Sequence, residues 1–562
     1  MFIMTFNNFI HANRFFLVLI WLFLFPVFSL YSQPYQITIP YEFSSGFEKS
    51  LHKFSSATHT SVKPFNYSEI TKSDDSLFTK KFSFNDIAAP QLKQRLLHEH
   101  WFEINKENYR IFADPLLNIN SGMDLKNTDF ILESSTGFSL KTDNKKNLAF
   151  SLDLAHHYSR LNPITLPITE VAKIFPGEGY AHKSGKFYEF TGTRFYAAYR
   201  PSQYFLFETG LGKHFIGDGY RSMLLSNNSY NYPYFKIEAN LWKFKYLSLW
   251  TNFKDLRFAD DHTWSAFDNK YGVFHYLDWI ISKRLSLGFF EAIICKAEDS
   301  IATSGLDVNY FNPVIFFRPV EFSLGSPNNS LMGFNLKFKI TEKLFVYGQY
   351  MIDDFVTSEL KQDLKHLLKP SDSTINYGYW TNKQAYQVGF RYHDFLVKNL
   401  TLQAEWNAAR PYTYSHRDVY QNYGHYNQAL AHPAGANFKE GIIIINYIHG
   451  RFAFTGKWVN ILTGLDSSGT HFGQNIYQVT FDSPVPGENN TIVQQYKNHI
   501  GQGVLTYIQN AEIKISYLIN PKNNLRTEAG FASRIQNTSF LKHENMFFYI
   551  GLRTSIGNGV DY

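Results

Sequence analysis

The sequence predicts an all-β fold: a transmembrane, outer-membrane antiparallel β-barrel of about 18 strands, with a small helical periplasmic or plug region at the N-terminus. Three observations support this prediction. Segments of about nine to eleven residues alternate apolar and polar side chains, which is the length that a tilted strand needs to cross a bilayer. Aromatic residues make up 18% of the chain and crowd the strand ends. Charged side chains recur on the face opposite the apolar one.

Residues 1–32 are predicted to be a secretory signal peptide. The stretch FFLVLIWLFLFPVFSLYSQ, residues 15–33, follows Arg14, is almost wholly apolar and ends near Ser32, a small residue of the kind that a signal peptidase recognises. An N-terminal membrane anchor is the alternative, but the run is short for a helical span and Pro26 interrupts it. The sequence thus predicts export to the bacterial outer membrane.

Residues 33–110 are predicted to form a small N-terminal periplasmic or plug region, and residues 111–562 the barrel. The first of these ranges is rich in serine, threonine, lysine and aspartate, and its apolar residues alternate poorly. Within it, APQLKQRLLHEHWFEINKEN predicts an amphipathic helix with a single apolar stripe. The stripe consists of Leu92, Leu96, Trp101 and Ile104.

The alternating segments have one apolar and one charged or polar face. In MGFNLKFKI, residues 332–340, Lys337 and Lys339 lie opposite the apolar positions. FKIEANL likewise places Lys236 and Glu238 opposite apolar residues. A soluble β-sandwich is the alternative fold, but its core would have to bury these charges, whereas the wet lumen of a barrel can solvate them. About 430 residues, at about 24 for each strand with its connection, give about 18 strands.

The composition excludes several other classes of protein. Lysine and arginine number 54 against 48 acidic residues, a net charge of +6 without any basic run, so nucleic acid is not a predicted partner. Cys295 is the only cysteine, which rules out an internal disulfide and a cysteine-based zinc site. No cofactor is predicted.

Residues 410–437, RPYTYSHRDVYQNYGHYNQALAHPAGAN, contain three histidines among five tyrosines. The histidines stand nine and seven positions apart, which does not bring them to one face of a helix or strand, and no HExxH pattern occurs. No metal site is therefore predicted. Ser415 and His416 are neighbours that would point to opposite faces of a strand, and no G-x-S-x-G elbow is present. No catalytic residues and no enzymatic activity are predicted.

The same segment has the chemistry of a carbohydrate-binding surface. Sugars are bound by flat aromatic faces, which cover their C–H surfaces, and by planar amide, carboxylate or guanidinium groups, which bond their hydroxyls. An interfacial aromatic girdle is the alternative interpretation, since membrane barrels carry one. Here the tyrosines alternate with histidine, asparagine, glutamine and arginine and not with leucine or valine, which favours a loop or the lumen over lipid.

Three blocks of the sequence resemble a known family. GLGKHFIGDGYRSMLLSNNSYNYPYFKIEANLWKFKY, residues 210–246, resembles the capsule assembly Wzi family, whose barrels have a Gly-x-Gly turn, a Leu-Leu-Ser-Asn-Asn-like run and then a proline. The matching positions here are Gly217, Gly219, Leu224, Leu225, Ser226, Asn227, Asn228 and Pro233. Residues 312–339 and 410–440 resemble the branch of that family that includes the gliding motility protein RemB.

The resemblance implies an outer-membrane barrel with lectin-like involvement in surface polysaccharide and, for the second branch, a surface component of gliding motility. The partners expected from it are outer-membrane lipid, surface or capsular polysaccharide, and other gliding or secretion machinery. A porin-like channel and a barrel hydrolase acting on lipid or glycan are the alternatives. The residues predicted to bind carbohydrate are Tyr412, Tyr414, His416, Tyr423, His425, Tyr426, Asn427, His432, Asp218, Arg221 and Arg318.

Overall fold

The structure is a computed structural model, and it describes most of the range predicted to form the barrel. The described residues are Gln36 and residues 41–56, 58–66, 91–257, 267–296, 308–312, 328–467, 469–481 and 491–554. The predicted signal peptide, residues 1–32, and the candidate site residue Arg318 lie outside the described residues.

Eighteen antiparallel strands close into a barrel, as the sequence predicts. Each strand pairs with the next along the chain, and the last pairs with the first, where Phe548 lies opposite Met123. The strands are Arg110–Asp124 (β1), Phe130–Asp143 (β2), Leu148–Arg160 (β3), Phe187–Tyr199 (β4), Phe205–Gly212 (β5), Tyr232–Leu241 (β6), Phe244–Asp255 (β7), Asp268–Ile280 (β8), Leu285–Lys296 (β9), Asn329–Lys339 (β10), Leu344–Asp354 (β11), Lys383–His393 (β12), Leu400–Ala409 (β13), Phe438–His449 (β14), Phe452–Leu465 (β15), Val504–Asn520 (β16), Leu525–Thr538 (β17) and Lys542–Arg553 (β18).

Short elements complete the described chain. The α-helices are Tyr41–Leu51 (α1), Gln91–Leu97 (α2), Thr165–Ala172 (α3) and Thr357–Leu368 (α4), and Val308–Phe311 and Val419–Gln421 are 3-10 turns. Phe102–Asn105 and His182–Ser184 extend the barrel wall beside β1 and β4, Val62–Lys63 pairs with Phe215–Ile216, and Gly424–His425 pairs with Gln428–Ala429. Among these described helices, none has the length and apolar character of a membrane span.

The helix predicted across residues 89–108 is wrong in its second half. It ends at Leu97, and Phe102–Asn105 is a strand in which Ile104 lies opposite Ile111 of β1. The four apolar positions are thus divided between a helix and a hairpin. Pairing with the long first strand supplies hydrogen-bond partners to the backbone of residues 102–105. This pairing depends on the tertiary structure, and a local apolar stripe does not reveal it.

The wall has an apolar outer face and a polar inner face. In β10, Phe334, Leu336 and Phe338 point outward and are 39–45% exposed. Lys337 and Lys339 point inward and are buried. This alternation confirms the prediction from the sequence, and the apolar belt that it forms around the barrel is the surface that lipid covers.

The two ends of the barrel differ in the length of their connections. At one end the turns are tight, such as residues 242–243 between β6 and β7 and residues 450–451 between β14 and β15. At the other end most connections are long, and two of them contain α3 and α4. Outer-membrane barrels have short turns on the periplasmic side and long loops outside, so we call the two ends periplasmic and extracellular.

The N-terminal segment, residues 41–56 and 58–66, occupies the lumen from the periplasmic end. Lys49 of α1 pairs with Asp394, which lies in a periplasmic turn, and the Tyr41 hydroxyl donates to the Gln403 side chain at 2.7 Å. Further inside, Val62–Lys63 forms a two-stranded sheet with Phe215–Ile216, which belongs to a connection from the extracellular end. The segment is therefore wedged between the wall and the extracellular connections.

The inward charges predicted from the sequence are neutralised by one another. Lys236 Nζ lies 2.9 Å from a Glu208 oxygen and 3.1 Å from a Glu238 oxygen, and Lys245 lies 3.0 Å from the same Glu238 carboxylate. All four side chains are buried. The expectation of a wet lumen around Lys236 and Glu238 is wrong, because paired charges and packed side chains surround them instead. Removing one partner from such a buried set leaves a lone charge, which is far costlier than the pair.

Candidate functional site

Two extracellular connections, which we call the 213–231 loop and the 410–437 loop, fold inward and fill the upper lumen. Most of their residues are buried. The loops bond directly to each other: the Ser226 N–H donates to the Leu430 carbonyl at 2.8 Å, and the Asn228 side chain donates to the Ala429 carbonyl at 3.0 Å. The block Leu224–Asn228, which carries the family resemblance, thus lies against the other resembling block inside the barrel.

Buried tyrosines join the two inward loops to each other and to a neighbouring extracellular connection. The Tyr414 hydroxyl donates to the Met223 carbonyl at 2.8 Å, and the Tyr423 hydroxyl donates to the Leu224 carbonyl at 2.6 Å. The Tyr412 hydroxyl donates to the His471 carbonyl at 2.9 Å, and burial raises its pKa to about 12. Each phenol therefore serves as a neutral donor, which is what a buried tyrosine needs to satisfy its polar end.

At Asp218 the 213–231 loop contacts both the N-terminal segment and the barrel wall. Its carboxylate lies 3.2 Å from Lys337 Nζ, accepts from the Asn335 side chain at 3.1 Å, and accepts from the Thr60 hydroxyl. Burial alone would raise the pKa of Asp218, but Lys337, Thr60 and Asn335 together hold it well below its usual range. The carboxylate is therefore ionised and compensated, so Asp218 serves as a structural anchor.

Arg221 is held by two wall carboxylates. Glu405 accepts the backbone N–H groups of Tyr220 at 2.7 Å and Arg221 at 3.0 Å. The Arg221 guanidinium lies 3.4 Å from Glu440, which also accepts from His432 at 2.6 Å. The two loops therefore share Glu440 as a common acceptor, and both depend on the barrel wall for their position.

The 410–437 loop adopts backbone conformations that are unfavourable in isolation. Tyr412 and Tyr414 have φ values of 67° and 71°, and Tyr426 and Asn427 both have 53°. A residue with a Cβ in the left-handed region costs about 1–2 kcal/mol. The buried hydrogen bonds of the tyrosines offset this cost, so the loop keeps its shape only while it is docked in the lumen.

The three histidines of the loop are hydrogen-bond acceptors. Nδ1 of His416 accepts the Asp418 N–H at 3.1 Å, and Nδ1 of His425 accepts the Lys254 N–H at 2.8 Å. Nδ1 of His432 accepts the Ala434 N–H at 3.1 Å while its Nε2–H donates to Glu440. Among the described residues, no three His, Cys, Asp or Glu side chains converge as a metal ion would require. Each ring has a role as a neutral imidazole.

Acid is expected to loosen the 410–437 loop. Burial lowers the pKa of His425 to about 3, while an undocked histidine titrates near 6.5. Between about pH 6.5 and pH 3 the His425 ring is protonated in the undocked loop but neutral in the docked loop. The free energy of docking therefore becomes less favourable by roughly 1 kcal/mol for each pH unit as the pH falls through this range. Hydrogen exchange of residues 410–437 at pH 7 and pH 4.5 measures this, after correction for the intrinsic exchange rate.

His425→Asn is the matched control for the acid effect. The asparagine oxygen can accept the Lys254 N–H in place of Nδ1, but it does not titrate in this range. The variant should therefore show a flatter dependence on pH than the wild type. An equally steep dependence in this variant would assign the effect to other groups, His416 first, whose pKa burial lowers to about 4.

The predicted carbohydrate-binding residues lie mainly inside the lumen. The buried members of the set are Tyr412, Tyr414, Tyr423, His425, Tyr426, His432, Asp218 and Arg221, and His416 and Asn427 are partly buried. In this conformation the buried members contact protein, and their role in carbohydrate binding stays a prediction. Some of them bond the two inward loops to each other, and others bond these loops to the wall, to the N-terminal segment or to a neighbouring loop.

A second set of aromatic residues lies at the extracellular mouth, and we call it the aromatic rim. Its members are Tyr377, Tyr379, Trp380, Tyr420, Tyr477 and Tyr496, all half-buried and drawn from three long connections. Tyr379 and Tyr496 have ring centroids 5.1 Å apart although they are far apart in sequence. Of these six residues, only Tyr420 belongs to residues 410–437, the segment predicted to bind carbohydrate. The other five follow no common spacing in the sequence.

The aromatic rim combines aromatic rings with cationic groups, and one of its rings packs against the 410–437 loop. The Arg257 guanidinium lies 5.3 Å from the Tyr477 ring centroid and 5.9 Å from that of Tyr420. Lys296 lies 5.1 Å from the Tyr420 centroid. Trp380 packs edge-on against the buried Tyr412, with centroids 6.3 Å apart. The buried loop therefore supports the half-exposed rings above it.

Comparisons with known proteins identify no family for this chain. No protein-family model matches the sequence, and no curated protein matches it. Among solved structures, one similar fold is Wzi of Escherichia coli, described as an outer membrane protein involved in group 1 capsule assembly and a carbohydrate-binding β-barrel. It is 11% identical, with a TM-score of 0.49 over 91% of this chain and 98% of Wzi.

Other barrels give weaker similarity. OccAB2 of Acinetobacter baumannii is 9% identical, with a TM-score of 0.42 over 80% of this chain and 99% of its own. OprD of Pseudomonas aeruginosa is 9% identical, with a TM-score of 0.39 over 80% and 96%. These similarities concern the barrel fold alone.

Proposed function

We propose that this protein is a closed, non-enzymatic outer-membrane barrel that binds surface polysaccharide at its extracellular mouth. The observation that carries the proposal is the aromatic rim, whose half-buried rings come from three connections and in which Tyr420 and Tyr477 lie beside the cationic groups of Arg257 and Lys296. Such rings cover the C–H faces of sugars, and guanidinium and ammonium groups bond their hydroxyls or acidic substituents. The resemblance of three sequence blocks to the capsule assembly family supports the same function.

In this proposal the predicted site residues of the 410–437 loop act beneath the rim. Tyr412 supports Trp380 from below, and its hydroxyl bonds a different loop through the His471 carbonyl. Asp218 and Arg221 secure the neighbouring loop to the wall. A ring that is held rigidly loses little conformational freedom when a sugar stacks on it, so the buried network favours binding without touching the ligand.

The filled lumen favours this function over a porin-like channel. The N-terminal segment, residues 41–56 and 58–66, occupies the lumen from below, and the two inward loops occupy it from above. The buried ion pair of Lys337 with Asp218 connects the 213–231 loop to the wall. A role in gliding motility, which the resemblance also implies, is compatible with glycan binding, because a moving surface component needs an extracellular attachment. Deletion of the gene, followed by assays of capsule retention and colony spreading, separates the two.

Loss of rim aromatics is expected to reduce glycan binding. Each aromatic contact contributes about 0.5–1.5 kcal/mol, so Trp380→Ala combined with Tyr496→Ala should weaken binding on a glycan array by roughly tenfold or more. Tyr204→Ala is the matched control, because Tyr204 is similarly exposed, at 37%, but lies at the periplasmic end. Unchanged binding in the rim variant, with a folded barrel, would contradict the proposal.

A further inference from the structure

The outer wall carries a groove where small side chains interrupt the lipid-facing belt. Along one row of the sheet, Phe150, Ala197, Thr209 and Phe235 are direct neighbours on strands β3 to β6. The two central residues are small and the two flanking ones are aromatic. Strands lie about 4.8 Å apart, so the rings bound a gap about three strands wide, and the resulting groove has a volume of about 500 Å³.

The groove lies in the leaflet nearer the periplasm. Phe150 is three residues beyond the tight turn at 144–147, which places the row roughly 10 Å from that end of the wall. The next outward row towards the turn contains Leu148, Tyr199 and Phe207, and the groove continues past them to Tyr109 and Asn144 at the rim of the barrel. Its long axis therefore runs from the membrane interior to the periplasmic surface.

Two lysines lie close in sequence to the polar end of the groove, which Asp143, paired with Arg110, also lines. Lys106 is exposed, and Lys145 is half-buried and donates to the Lys106 carbonyl, so the two are close together. Lys106 lies three residues before Tyr109 in the sequence, and Lys145 directly follows Asn144, and both of these neighbours line the groove. An apolar groove in the wall with two lysines near its polar end is complementary in polarity and charge to an anionic phospholipid.

We propose that this groove is a binding site for one anionic phospholipid of the periplasmic leaflet. An acyl chain lies in the gap over Ala197 and Thr209, between the rings of Phe150 and Phe235. The phosphate lies beside Lys106 and Lys145, where each lysine near the membrane surface favours an anionic headgroup by about fivefold. The interaction fixes a lipid on the outside of the barrel and is independent of any ligand at the extracellular mouth.

Native mass spectrometry of the refolded full chain in an equimolar mixture of phosphatidylglycerol and phosphatidylethanolamine tests the proposal. The wild type is expected to retain one phosphatidylglycerol in preference to phosphatidylethanolamine. Lys106→Gln with Lys145→Gln should reduce that preference by roughly thirtyfold, since two lysines are removed. Equal retention of both lipids by the wild type would overturn the proposal.

Filling the groove tests the acyl-chain site separately. Ala197→Phe should abolish retention, and Ala197→Leu, a smaller change, should reduce it if the larger variant folds poorly; folding is checked by the heat-dependent mobility of the barrel in a gel. Ala404→Phe is the matched control, because Ala404 is a lipid-facing residue of β13, on the opposite wall. Equal phosphatidylglycerol retention in the folded Ala197 and Ala404 variants would overturn the proposal.

Discussion

Replacing Glu405 by alanine is expected to turn a closed barrel into one that conducts ions. The Glu405 carboxylate lies on the inner wall and is buried. It accepts hydrogen bonds from the backbone N–H groups of Tyr220 and Arg221, the Tyr347 hydroxyl and the Asn407 side chain. Each buried donor left without an acceptor costs about 1–3 kcal/mol, so the docked loop loses several kcal/mol. The 213–231 loop keeps its bonds to the 410–437 loop but loses this anchor on the wall, so it leaves the lumen more often.

Planar bilayer recordings measure this effect. The wild type should show no steady conductance, whereas Glu405→Ala should show openings whose frequency reflects undocking of the 213–231 loop. Glu405→Gln keeps one acceptor oxygen and the side-chain volume, so it should open less often. Glu170→Ala, at an exposed position of α3, is the control for a lost carboxylate. A wild type that conducts like an open pore would contradict the closed-lumen interpretation, and a silent Glu405→Ala would show that other contacts hold the loop.

The barrel itself could be predicted because its signal is local. A strand that faces lipid on one side and a polar interior on the other alternates with a period of two, and β10 shows this with Phe334 and Leu336 outside and Lys337 inside. The strand number followed from the length of chain divided by the length that one crossing and its connection need. Neither inference required knowledge of distant contacts.

The inward folding of the 410–437 loop could not be predicted in the same way. Tyr414 and Tyr423 alternate with polar residues, which favours a loop or the lumen over lipid but does not indicate that the rings are buried. In the structure their hydroxyls reach the carbonyls of Met223 and Leu224, about 190 to 200 positions away in sequence. A tyrosine can be buried wherever such an acceptor is supplied, and local sequence does not show where remote acceptors will lie.

The aromatic rim was missed for a related reason. Trp380, Tyr477 and Tyr496 lie on connections that are distant in sequence, and barrel closure alone brings their ends to the same mouth. A search for aromatic residues in all connections predicted to be long would have found them, whereas density within one segment directed attention to residues 410–437. Most of the tyrosines concentrated in residues 410–437 are buried, whereas the half-buried rings of the aromatic rim are spread over several loops.

Arg526→Ala is expected to release the N-terminal helix α1 from the lumen. Arg526 is 2% exposed, and its Nε lies 3.2 Å from a Glu42 oxygen, with Lys514 3.6 Å from the same oxygen. Burial alone would raise the pKa of Glu42, but Lys514 and Arg526 lower it to about 2, so the carboxylate is charged at neutral pH. Removing one partner of a buried ion pair costs about 3–5 kcal/mol. Hydrogen exchange of Tyr41–Leu51 should become more than a hundredfold faster.

Two controls separate the charge from the packing of the arginine. Lys522→Ala removes an exposed cation from the adjacent periplasmic turn and should leave the exchange of α1 unchanged. Combining Glu42→Gln with Arg526→Ala removes the carboxylate charge that the single variant leaves without its arginine. If the Glu42 carboxylate, left with the more distant Lys514, causes the release, the double variant regains protection relative to Arg526→Ala. If protection is no better in the double variant, the lost packing of the arginine stem accounts for the release, and α1 is held in the lumen by shape more than by charge.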